Sequence, residues 1–112
     1  MPQIKFQARE IFRAAKRQGH KLERGHFEKC AIGTICRVEN LPCSEKRTEL
    51  ARDMGVNREN LIALEMGFEG YTTTYNFVWD GPGRELTEEA SKKLMKNRYY
   101  KVGQNLARMA GY

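Results

Sequence analysis

Long apolar runs are missing from this chain of 112 residues. No stretch approaches the ~18 apolar residues that a bilayer-spanning helix needs. The first twenty residues, MPQIKFQAREIFRAAKRQGH, are charged throughout, where a secretory signal would carry a continuous apolar core. No membrane partner is expected, and a cytoplasmic location is. Cysteine is scarce as well: Cys30, Cys36 and Cys43 are odd in number and form no C-x-x-C pair, which excludes a disulfide framework. They read as thiols, with Cys30 and Cys36 serving as small apolar filler in the run CAIGTICRV. Catalytic signatures are absent too. There is no G-x-S-x-G, no phosphate-binding glycine loop and no H-E-x-x-H. An enzyme is not the expected reading, and no cofactor is implied. Internal repeats, low-complexity tracts and linkers are also lacking.

What the sequence does contain is charge and helical periodicity. Twenty Lys and Arg face fourteen Asp and Glu, for a net charge of +6. A chain of this length buries roughly two-thirds of its unfolded surface and supports one core, so residues 1–112 are expected to form a single domain. Ile4, Ala8, Ile11, Phe12 and Ala15 share one face of a first helix that should stop near Gly19. Lys5, Arg9, Arg13, Lys16 and Arg17 share the other, and Lys21 and Arg24 extend the positive charge. A second helix is expected from about His26 to Val38, broken by Pro42, and a third from a cap at Ser44 to Gly55.

The next helix is the best specified locally. Asn57 suits its N-cap, Val56 and Leu61 stand at the positions of a hydrophobic staple, and Gly67 stands where a C-terminal glycine belongs, giving about nine residues. The stretch GYTTTYNFVWDGPG is β-branched and aromatic, and suits a short β-hairpin or an ordered loop near 70–83. Within it Trp79 reads as a lid over the helices more readily than as a ligand platform. Thr87 with Glu88 and Glu89 opens a further helix. Met95, Tyr99, Val102, Leu106 and Met109 then form a heptad-like seam on one or two helices, suited to packing on the first helix or to a homodimer. The expected fold class is mainly α, with five or six helices.

Three constellations could carry function. In RTELARDMGVNRENLIALEM, at 47–66, a small residue four before the turn glycine and apolar residues at the helix contacts match a helix-turn-helix. Asn57, Arg58 and Glu59 would then face base edges. Charge argues against this, because residues 30–70 hold five basic and seven acidic residues, whereas 1–29 hold eight and three and 71–112 hold seven and four. A DNA reader needs cations around its recognition helix. The second constellation is the basic stripe of Lys5, Arg9, Arg13, Lys16, Arg17, Lys21 and Arg24, suited to nucleic acid or to an acidic protein surface. The third is His20, His26, Cys30 and Cys36, in which His26 and Cys30 at i, i+4 could share a metal ion, although Cys36 points elsewhere and no second ligand pair follows.

The motif Cys30-Ala-Ile-Gly33, together with Gly67-Phe-Glu-Gly70 and Tyr100-Lys-Val-Gly103, resembles small uncharacterised proteins of bacteria, phages and mobile gene cassettes that carry C-A-x-G, G-F-[DE]-G and Y-x-[LV]-G. That resemblance implies a small helical accessory protein and brings no activity with it. The leading expectation is therefore a non-enzymatic protein that binds a macromolecule, protein or nucleic acid, through basic terminal helices. A helix-turn-helix regulator and a metal or thiol protein centred on His26 and Cys30 follow as alternatives.

Overall fold

Each amphipathic helix in a small domain needs a partner for its apolar stripe, and one central helix supplies it for four of the other five described here. The computed structural model describes residues 7–25, 29–42, 47–70 and 88–112. Among them are six helices: α1 (Ala8–Arg17), α2 (Ala31–Val38), α3 (Arg47–Met54), α4 (Arg58–Glu69), α5 (Glu88–Met95) and α6 (Arg98–Met109). The mainly α class is as expected, and the radius of gyration of 12.9 Å suits one domain of this length. The segment near 70–83, beyond its first residue, lies outside the described residues, as do Ile4, Lys5, His26, Cys43 and Ser44.

Helix α1 buries Ile11 and Ala15 of the expected face, holds Ala8 and Phe12 partly buried against the core, adds Ala14 to the buried side, and ends ahead of Gly19 as expected. Helix α2 starts later than expected. Cys30 is its N-cap, with extended backbone (ψ 179°), and the Lys29 carbonyl accepts a hydrogen bond from the Glu23 N–H at 2.9 Å. That carbonyl is committed to the preceding loop, so the helix forms only beyond Cys30. Helices α3 and α4 flank a turn in which Gly55 takes φ +70° and the Val56 N–H reaches back to the Ala51 carbonyl at 2.9 Å. The Asn57 side chain accepts from the Glu59 N–H at 2.9 Å, which satisfies one of the exposed donors at the start of α4.

The expected end of α4 at Gly67 is wrong by three residues. The helix continues to Glu69 and is capped by Gly70 in the left-handed region, φ +77°. Gly67 has another purpose. A Cβ there would collide with the Tyr100 carbonyl oxygen, and one on Gly103 would collide with the Leu64 carbonyl and lie 2.6 Å from the Phe68 nitrogen. The two glycines let the α4 and α6 backbones touch at a crossing that no side chain could enter.

This crossing also corrects the C-terminal seam. The pattern is split between α5 and α6 by Asn97, whose side chain caps Tyr99 N–H at 2.8 Å and donates to Asn60 Oδ1 at 2.8 Å. Helix α6 packs chiefly on α4, with α1 as a lesser neighbour, so its buried line is Tyr100, Gly103, Leu106 and Ala107. Of the expected seam only Leu106 is fully buried, while Tyr99 and Val102 pack on the core from partly buried positions and Met109 stays 42% exposed. The apolar surface offered for a homodimer is thus largely used within the chain.

Candidate functional site

Most exposed cations among the described residues lie on α1, on the segment after it, and on α5 and α6, with Arg37 and Arg52 standing apart on α2 and α3. On α1, Arg9, Arg13, Lys16 and Arg17 are all exposed, opposite the buried Ile11, Ala14 and Ala15. Arg13 meets Glu10 at 3.9 Å, a loose surface pair of little energetic weight. Lys16 places its ammonium 4.8 Å from the centre of the Phe12 ring. Lys21 is exposed as well.

Arg24 is different. Although its side chain reaches the surface, its Nε donates to the Phe68 carbonyl at 2.7 Å and its guanidinium lies 4.6 Å from the Tyr112 ring centre. Its own N–H donates to the Tyr112 hydroxyl at 3.2 Å, and the next N–H, of Gly25, donates to the Glu69 carboxylate at 2.8 Å. A cation on the last carbonyls of α4 neutralises the negative end of that helix. Arg24 therefore latches the 20–25 loop onto the end of α4 and is occupied within the chain.

Helix α6 gathers much of the C-terminal positive charge on one face, whose residues the sequence did not single out. Arg98, Lys101, Asn105 and Arg108 recur at i, i+3, i+7 and i+10, with Gln104 beside them, and all are exposed. This face contains no carboxylate. The signal was available, because Glu89 is the last acidic residue of the chain and six cations follow it.

Two concavities adjoin these charges. A groove of about 220 Å³ between α1 and α6 is lined by Phe12, Ala15 and Lys16 from α1, by His20, Lys21 and Leu22 after it, and by Met109 and Ala110 at the end of α6. Its His20 ring is held by contacts of 3.0 Å to the Lys21 carbonyl and 3.1 Å to Gln18 Oε1, while Gln18 Nε2 donates to the Thr34 carbonyl at 3.1 Å. A cleft of about 320 Å³ lies between the first turns of α4 and the α5–α6 turn, lined by Arg58, Glu59, Ile62, Lys93, Leu94, Lys96 and Asn97.

No family model, curated protein or solved structure gives a significant match to this chain. Its function has to be argued from these surfaces.

The α3–turn–α4 unit keeps little of itself for a duplex. Leu61 through Phe68 are all buried, so Ile62 and Ala63, which stand where a DNA reader presents polar groups, face the interior. Only the first turn of α4 and Glu69 at its far end meet solvent. At the first turn Asn57 spends its side-chain oxygen on the cap, Glu59 is acidic and exposed, and Arg58 is half-buried. The thiol cluster is equally enclosed. Cys30 and Cys36 are buried in the main core, and burial pushes the Cys30 thiol up to about 11, well away from a reactive thiolate. Among the described residues no three His, Cys, Asp or Glu side chains gather as a metal-holding group, and His26 lies outside them. No described helix is long and apolar enough to cross a membrane.

Proposed function

We propose that this protein acts by binding the phosphate backbone of a nucleic acid through the basic solvent faces of α1 and α6, with no chemical step of its own. One observation carries the reading: the exposed face of α6 presents Arg98, Lys101 and Arg108 with Gln104 and Asn105 and without a single carboxylate. Phosphate recognition draws on just these side chains, because Arg and Lys displace condensed counterions while amides donate to phosphate and sugar oxygens. Helix α1 packs beside α6 and adds Arg9, Arg13, Lys16 and Arg17. An acidic protein surface would accept the cations equally well but has less use for the two amides. The reading keeps the chain in the cytoplasm and among accessory proteins of bacterial, phage or mobile-element type, which the three glycine motifs resemble.

The experiment is a salt titration. Binding of a labelled oligonucleotide should weaken linearly in log K against log[salt], with a slope of about −0.7 to −0.9 per phosphate neutralised. Replacing Lys101 and Arg108 by Gln should reduce that slope by about two such contacts. No binding at 20–50 mM salt, or a slope unchanged by the double variant, sinks the proposal.

A further inference from the structure

The α1–α6 groove combines features that a backbone-binding surface does not need. Its lining combines the apolar side chains of Phe12, Leu22 and Met109 with the cations Lys16 and Lys21. Met109 is one of three large apolar side chains left exposed among the described residues, and Phe12 is only partly buried. A phosphate alone makes no use of an aromatic ring or a thioether. A flat, apolar group that carries its own phosphate uses both parts.

We propose that this groove receives one unstacked base of a single-stranded nucleic acid, resting on the proposed function above and making single strands the preferred ligand. Aromatic faces beside cations are the means by which single strands are held without sequence reading, since every base offers a π-face. At about 220 Å³ the groove has room for a single base. The Lys16 ammonium now over the Phe12 ring is on a long flexible stem. A base that takes its place on the ring leaves that ammonium to the adjoining phosphate, with Lys21 on the other side. A duplex keeps its bases paired and stacked, and so can reach only the basic faces. The contacts that fix His20 and Gln18 hold the far wall of the groove before a ligand arrives, which lowers the ordering cost of binding.

Three probes of equal length and matched backbone chemistry test this: oligothymidylate, an abasic oligomer, and a duplex, each followed by fluorescence anisotropy at low salt. Oligothymidylate should bind about tenfold more tightly than the abasic oligomer, the worth of one base stacked on an aromatic side chain. Phe12→Leu, which keeps an apolar residue in place, and Met109→Ala, at an exposed position, should each shrink that difference. The Met109 methyl resonance should move upfield with oligothymidylate and stay in place with the abasic oligomer. Equal binding of the abasic and base-bearing oligomers overturns the base slot and leaves the backbone-binding function standing. Failure of all three probes to bind overturns both. Tighter binding of polyglutamate than of oligothymidylate also overturns both, in favour of an acidic protein partner.

Discussion

Helices α1 and α4 both carry an Arg-Glu pair in the first turn, Arg9-Glu10 and Arg58-Glu59, and lie in opposite surroundings. Helix α1 buries three of its ten residues and turns its cations outward, whereas α4 buries eight of twelve in one unbroken run, including Glu65. The difference is one of neighbours. Helix α1 is flanked by α2 and α6, while α4 is packed by α2, α3, α5 and α6 together. A helix at the centre of a bundle has no face left for a partner, however much its sequence resembles a recognition helix. The proposed function accordingly rests on the peripheral helices, and the central one is given over to packing: its Gly67 is where two backbones meet.

The comparison breaks most severely at that meeting point. Gly103→Ala inserts a Cβ into the α4 backbone, and overpacking of this kind should cost about 3 kcal/mol. Gln104→Ala, one position along on the solvent side, should stay within about 0.5 kcal/mol. Urea midpoints for the two variants measure the contrast, and similar values would mean that the crossing is not the tight point described. Interior chemistry gives the next effect. Desolvation raises the Cys30 thiol from its ordinary 9.0 to about 11, so the folded state holds a proton that the unfolded chain releases first. Stability from this group is complete below about pH 9 and is lost as pH rises through 11, by on the order of 2–3 kcal/mol. Cys30→Ala should flatten that part of the pH–stability curve relative to the parent chain.

Arg24 lies between the two environments. Arg24→Ala removes the bond to the Phe68 carbonyl and the stacking on Tyr112, and should cost about 1–2 kcal/mol in thermal or urea unfolding. It should leave the salt slope of nucleic-acid binding unchanged, since Arg24 is occupied within the chain. The smallest structural effect is expected on α1. Arg9→Gln with Arg17→Gln should leave stability within about 0.5 kcal/mol while reducing the salt slope of binding; a stability loss beyond 1 kcal/mol would assign these arginines to the fold.

Legibility in the sequence followed how local each feature is. The cap at Asn57, the turn at Gly55 and the amphipathic face of α1 depend on residues within one or two helical turns, and all three appear in the structure as read. The expected helix end at Gly67 fails because a glycine that terminates a helix and a glycine that admits another backbone are the same residue until the second backbone is in place. Two of the four motif glycines, 67 and 103, meet each other across 36 positions of sequence, a contact no local pattern reports. The α2 boundary moved for a comparable reason, since a hydrogen bond from Glu23 claims the Lys29 carbonyl.

The sequence alone determined that the chain is helical, which faces are apolar, and that the positive charge avoids its middle, because periodicity and charge are properties of neighbouring residues. Only the tertiary structure decided that α4 is enclosed, that Arg24 is a latch, and that α6 carries an acid-free exposed face beside an apolar groove. Those outcomes depend on which helices touch, and that is fixed by backbone approach and burial between residues far apart in the chain.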